Sequence, residues 1–374
     1  MSKSFVVLAL YTIFLAAFVI PSEASTKELL YVAGPQASSN VVLYTYSVDP
    51  TTAVATQVGN PINVASSSLI PLTIGASHYL YLWNKTGVSL YQTYADGSPL
   101  ATPSQQLSFS FPLPINTFLI DPNGKFAYAA LGGIDQVNDK SRIVLFTIDQ
   151  STGQLTNTNK VVASYSNAYT GFASFKFGQS GNALFAYYLD SGPYTFIVGY
   201  DYYPVNRTTG ALESLHKIFN AQTGECQTGC AVAVTDILSA QDGVCCGPPS
   251  GFLAVTRTST STSIGCNQND TVCFDDVANL AIDPANANVF FGDQTTNETY
   301  IMNVDFSASQ LNPSSATIPG TPPLYFSPDS RLVFAVNQND IGIYALQAAT
   351  GTLTASTTLP DPGKVSIATA SLGD

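Results

Sequence analysis

The sequence predicts an all-β fold, a seven-bladed β-propeller of four-stranded antiparallel blades, with the ring closed by the C-terminal strand. Three observations predict it. An apolar, aromatic strand core recurs seven times, as Leu30-Tyr31-Val32, Tyr79-Leu80-Tyr81-Leu82, Phe126-Ala127-Tyr128, Leu184-Phe185-Ala186-Tyr187, Phe252-Leu253-Ala254-Val255, Val289-Phe290-Phe291 and Leu332-Val333-Phe334-Ala335-Val336. The recurrence of about 50 residues is a propeller-blade period rather than a helical-repeat one. A turn-bearing segment recurs as well, at Val48–Thr52, Ile148–Gly153, Val205–Gly210 and Leu346–Gly351, each between two β-rich runs, with a weaker copy at Val304-Asp305. Finally, no long stretch spaces its apolar residues as a helix does, and β-branched and aromatic residues dominate.

Within each repeat the first two strands are joined by a tight turn. Asp121 to Gly124, Gln179 to Asn182, Asp283 to Asn286 and Ser327 to Ser330 carry the Pro, Asn, Asp, Ser and Gly residues that such turns need. Pro presets φ, and Asn, Asp or Gly accepts the turn dihedrals. The unit is therefore strand, tight turn, strand, loop, strand, turn, strand. The first repeat begins at a second-strand position, Leu29 to Gly34, with no inner strand before it. The run Lys364 to Ala370 is predicted to pair beside it, which would cover an otherwise open sheet edge.

Residues 1–24 read as a secretory signal: Lys3, then the uncharged apolar stretch Phe5 to Ile20, then small residues around Ser22-Glu23-Ala24. Residues 25–374 are expected to form one propeller that is secreted and monomeric. Only 10% of residues are charged, yet 45% are apolar and there are 20 Tyr and 21 Phe, enough for a packed core. A net charge of −12 argues against nucleic acid or, once the signal is removed, an anionic membrane surface as partner, because both select a basic footprint.

One repeat diverges, at about 226–273, and holds all six cysteines: Cys226, Cys230, Cys245, Cys246, Cys266 and Cys273. In an oxidising compartment an even number implies disulfides, with 15 possible connectivities. Cys266–Cys273 would close a short loop, Cys226–Cys230 would permit a small ring, and the adjacent Cys245 and Cys246 are expected to take different partners. With no His among them, a zinc site is not expected. Asn84, Asn206, Asn269 and Asn297 stand in Asn-x-Ser/Thr sequons and are candidate glycan sites on turns.

The inner-strand, Ser-Pro-Asp, aromatic-strand pattern and the Asp149-x-x-Thr152-Gly153-x-Leu155 turn resemble the lactonase-like propeller superfamily. That group includes the 6-phosphogluconolactonase-like and muconate-cyclase-like proteins and the Tyr-Val-Thr-Asn-rich surface-layer propellers. The resemblance covers residues 25–374 and implies the fold more than the activity. In its enzymes Arg and His recur on inner strands facing the channel. The matching positions here hold Thr117, Ser174, Thr235, Asn279 and Pro323, preceded by Asn116, Ala173, Val234, Ala278 and Pro322. None supplies a base for water or a cation for an oxyanion.

The chain has two His residues. His78 is expected at a turn and His216 on an outer strand. Lys176, Asp236, Arg257 and Lys364 are the charged residues expected near the channel, and the weak catalytic candidates. No phosphate-cradling glycine loop or nucleophile elbow occurs, so no cofactor and no metal is expected. Thr117, Ser174, Thr235 and Asn279, with Tyr and Phe nearby, suit a small neutral polar ligand or a protein loop at a channel mouth. The expected function is a ligand-binding or interaction module. A lactone hydrolase and a non-catalytic scaffold are the alternatives.

Overall fold

The computed structural model describes residues 27–35, 41–66, 68–75, 77–109, 111, 113–132, 142–164, 170–177, 181–192, 195–214, 216–223, 232–234, 238–244, 251–257, 263–265, 277–307, 310–360 and 366–372. Among these residues the regular structure is all β, and no helix is long and apolar enough to cross a membrane.

The first sheet holds β1 (Lys27–Pro35), β2 (Val41–Val48), β3 (Ala55–Gln57) and β4 (Ile62–Val64), the last two both pairing with β2. The second holds β5 (Ser68–Ile74), β6 (Ser77–Asn84), β7 (Gly87–Gln92) and β8 (Gln105–Ser108). The third is β9 (Ile115–Ile120), β10 (Phe126–Leu131), β11 (Arg142–Ile148) and β12 (Leu155–Ser164). The fourth is β13 (Thr170–Phe177), β14 (Ala183–Gly192), β15 (Thr195–Pro204) and β16 (His216–Thr223). The fifth is β17 (Val232–Val234), β18 (Leu238–Val244), β19 (Gly251–Arg257) and β20 (Ser263–Gly265). The sixth is β21 (Val277–Ile282), β22 (Asn288–Asp293), β23 (Glu298–Asp305) and β24 (Gln310–Pro319). The seventh is β25 (Leu324–Phe326), β26 (Leu332–Val336), β27 (Asp340–Gln347) and β28 (Thr352–Pro360). The second to seventh sheets run antiparallel in chain order, a propeller-like arrangement.

The last strand, β29 (Ser366–Leu372), joins the first sheet, with Leu29 opposite Ala370 and Ala33 opposite Ser366. The run predicted to meet β1 does so, starting and ending two residues later than the sequence suggested. A second adjustment concerns the fifth sheet. The Phe252–Val255 core, expected on a second strand, lies on β19, the third strand of its sheet, and β18 takes the second place. Gln241, Asp242 and Gly243 hide β18 from a reading based on apolar runs, because strand propensity gives way to pairing context.

The second strands β10 and β22 are buried at every position, and the pattern follows from burial on both faces. Side chains alternate across a strand, so Leu29, Tyr31 and Ala33 pack toward the second sheet while Leu30 and Val32 pack toward the seventh. Ala127, Ala129 and Leu131 likewise join the second sheet, and Phe126, Tyr128 and Ala130 the fourth. The core is thus a series of apolar layers, each between two successive sheets. The outer strand β28 alternates half-buried and exposed residues from Leu353 onward, with Thr354, Ser356 and Thr358 facing water.

The two recurrent markers of the sequence touch one another across these layers. Tyr31 donates its hydroxyl to the carbonyl of Gly97 in the next sheet (2.8 Å), Tyr81 to Gly153 (2.5 Å) and Tyr128 to Gly210 (2.9 Å). Burial raises all three phenols well above their ordinary range, so each remains a donor. The acceptor turns are held by an Asx cap. Asp149 Oδ1 accepts from the Ser151 and Thr152 nitrogens, both at 2.9 Å, and Asn206 Oδ1 from those of Thr208 and Thr209, both at 3.1 Å. Gly153 and Gly210 sit at φ 69° and 70°, where a side chain is disfavoured. A Cβ there would also come within 2.7 Å of Tyr79 and 2.6 Å of Phe126.

Candidate functional site

A cleft of about 380 Å³ opens between the second sheet and the adjoining turn of the third, lined by Ser77, His78, Tyr79, Gln92, Thr93, Tyr94, Ala95 and Ser151. Strand pairing builds it from below. Tyr79 is opposite Gln92, and Thr93 closes the hairpin by bonding the His78 carbonyl through its nitrogen (3.3 Å) and hydroxyl (3.2 Å). The chain then turns sharply. Tyr94 N bonds the Ser98 carbonyl at 2.8 Å, and Asp96 Oδ1 accepts from Ser98 N at 2.9 Å and Ser98 Oγ at 2.6 Å. Those two bonds from Ser98 hold the Asp96 carboxyl below its ordinary range. The turn leaves the Tyr94 ring 59% exposed at the rim.

Across the cleft, the Tyr79 hydroxyl donates to the Ser151 carbonyl at 3.1 Å. His78 Nδ1 lies 3.0 Å from Thr73 Oγ1 on β5, and burial lowers its pKa, favouring the neutral imidazole. The lining therefore offers hydroxyl, amide and imidazole groups beside an exposed aromatic face, and no formal charge at neutral pH. His78 lies within β6 rather than at the turn expected for it. The sequence reading missed this site, since Tyr94 lies in none of the recurring turn segments, and its one signal was a bulky aromatic beside Asp96-Gly97.

The residues predicted to face a channel are distributed differently. Thr117, on β9, lies with Leu119, Tyr128, Ala130, Ile143, Phe175 and Leu184 around a narrow crevice between the third and fourth sheets. Asn279, on β21, is committed to structure, because its side-chain amide donates to the Thr321 carbonyl, tying an inner strand to the segment that enters the seventh sheet. Ser174 follows a register irregularity on β13, and Thr235 lies outside the described residues. Lys176 is on β13, opposite Phe185. Arg257 ends β19, opposite Leu238, on a third strand rather than beside an inner one. Asp236 and Lys364 lie outside the described residues, as do all six cysteines, Asn269 and the predicted signal segment. His216 opens β16, the outer strand of its sheet.

Three sequons can be placed. Asn84 is exposed at the β6–β7 hairpin, where its Oδ1 accepts from Thr86 N (2.9 Å) and Thr86 Oγ1 (3.0 Å). Asn206 caps its turn as described above. Asn297 is exposed at φ 55°, and its carbonyl accepts from Gly320 N. Among the described residues no group of three or more His, Cys, Asp or Glu is placed to hold a metal ion.

No protein-family model matches the chain, and no curated protein matches it. Solved structures do. A 6-phosphogluconolactonase-like protein of Bacteroides fragilis aligns with a TM-score of 0.60 at 14% identity, covering 93% of this chain and 99% of its own. A second such protein, from Bacteroides uniformis, gives 0.56 at 14% identity over 91% and 99%. A protein of Lactobacillus plantarum gives 0.53 at 14% identity over 92% and 99%. The chain therefore has the lactonase-like β-propeller fold. At this identity the likeness extends to the fold and no further.

Proposed function

We propose that the chain is a secreted, seven-bladed propeller that binds a small neutral polar ligand, sugars being the fitting class, and is not a hydrolase. The seven sheets would be its blades and the β1–β29 pairing its ring closure. The cleft around Tyr94 carries the reading. Its walls combine an exposed aromatic face with hydroxyl, amide and neutral imidazole groups, the mixture that orients an uncharged polyol without strong electrostatics. The inner-strand positions where lactonase-like enzymes carry Arg and His offer Thr117 and Asn279, one beside an interior crevice and the other bonded to backbone, which favours binding over catalysis.

The test is a thermal-shift and calorimetric screen of neutral mono- and oligosaccharides against the full secreted protein, repeated with Tyr94→Ala and Gln92→Ala. Stabilisation lost in both variants supports the reading. Saccharide binding that both variants retain moves the site elsewhere. Proton release by the wild type on a lactone panel in a pH-stat would favour the hydrolase instead. N-terminal sequencing for cleavage after Ala24 and non-reducing mass analysis of the six cysteines test the secretory part.

A further inference from the structure

We propose that the joint between the seventh sheet and the first is a proton-operated latch, in which a protonated Glu28 beside the Asp329–Arg331 pair holds β1 and β29 to the β25–β26 turn until that proton leaves. Glu28 is the second residue of β1 and is fully buried. Ser371 Oγ, from β29 at the far end of the described chain, lies 2.9 Å from each of its carboxyl oxygens. Arg331 Nη2 approaches Glu28 Oε1 at 3.7 Å while its Nε bonds Asp329 Oδ2. Three elements thus meet at one carboxyl.

Every neighbouring polar or charged group has a defined part. From the β25–β26 turn come Asp329 and Arg331, and from β29 comes Ser371. Asp49, at the end of β2, lies in the field of Arg331. Lys27, on β1 itself, is exposed and alternates to the other face of the strand. Burial is the largest influence on Glu28. The Asp329 charge, and a hydrogen bond between the two carboxyls, raise it further against Ser371 and Arg331, to about 7. For Asp329, burial is again the largest single influence and acts upward. Bonds from Ser327 Oγ, Arg331 N and the guanidinium outweigh it and hold that carboxyl below its ordinary range. The proton therefore resides on Glu28 and the charge on Asp329, paired with Arg331. When Glu28 ionises, two carboxylates compete for that guanidinium and one of them is cut off from water, a costly arrangement.

The sign follows from linkage. Between the ordinary 4.5 of a free Glu and about 7, the folded chain binds a proton that the unfolded chain has released. The latch contribution is thus complete below about 4.5, falls as pH rises from there to about 7, and is absent above.

The test is hydrogen exchange of full-length protein from pH 5 to 9, corrected for intrinsic rates and read on peptides covering 27–35 and 366–372, with denaturant melts alongside. Wild type should lose protection in both segments as pH rises from 5 and level off near pH 7. Glu28→Gln, which keeps a neutral donor–acceptor pair, should be flat. Asp329→Asn, at a partly exposed position, should move the pH at which the loss levels off downward, and carries the test if Glu28→Gln fails to fold. Wild-type protection that does not change with pH, or a levelling-off pH unmoved in Asp329→Asn, would overturn the proposal.

Discussion

The joints among the first four sheets and the joint between the seventh sheet and the first differ in chemistry. From the first sheet to the fourth, a buried Tyr hydroxyl from one sheet bonds the carbonyl of a left-handed glycine in the next. Between the seventh sheet and the first, Phe334 stands in the strand position that Tyr128 occupies in the third. The left-handed turn residue is Ala53, at φ 58° and fully buried in the same apolar cluster. A neutral bond, Thr369 Oγ1 to the Phe326 carbonyl at 2.6 Å, remains there, and the Glu28–Asp329–Arg331 group is added. The joints among the first four sheets are neutral and repeat one design. The joint between segments far apart in sequence relies on charge, and so depends on pH.

The comparison can be broken most severely at a glycine. Gly153→Ala combines a left-handed residue with a Cβ set against the Tyr79 ring, and should cost about 2–4 kcal/mol in urea unfolding. Phe in place of Tyr128 leaves the Gly210 carbonyl without its buried donor, and should cost about 1–2 kcal/mol. That cost should be the same at pH 5.5 and 8.5, because burial keeps the phenol protonated throughout. A dependence on pH would erase the contrast with the Glu28 joint. The smallest effect is expected for Asp149→Asn. The carboxyl, held down to about 2 chiefly by Ser151 and Thr152, serves its turn as an acceptor, and Asn206 fills the same role in the next sheet. Melting at pH 7 should be unchanged by scanning calorimetry.

Both halves of the neutral joint were readable as separate patterns, the apolar-aromatic strand and the Asx-capped glycine turn. Their bond was not, because partners such as Tyr81 and Gly153 lie 72 residues apart and nothing in a local window couples them. The pairing of Lys364–Ala370 with Leu29–Gly34 was legible by elimination, as the run left without a place in any repeat. The second strand of the fifth sheet was not, since Gln241 and Asp242 break the apolar run. At the site, inner-strand position alone does not tell a side chain turned to the channel from one aimed at the adjoining sheet, as with Thr117, or tied to backbone, as with Asn279. His78 was misread because the strand starts one residue before it, at Ser77.

The tyrosine–glycine bond has a direction. Donor and acceptor sit on opposite flanks of the second and third sheets, so the contact is heterologous, the head-to-tail kind that continues indefinitely unless its rotation closes on itself. A chain built only from such units would leave a donor flank at one end and an acceptor flank at the other, each able to capture a second molecule. Phe334 offers no hydroxyl and Ala53 no glycine, so the two flanks that meet at the first sheet lack the pairing used among the first four sheets. They are matched to each other by the Glu28 group instead.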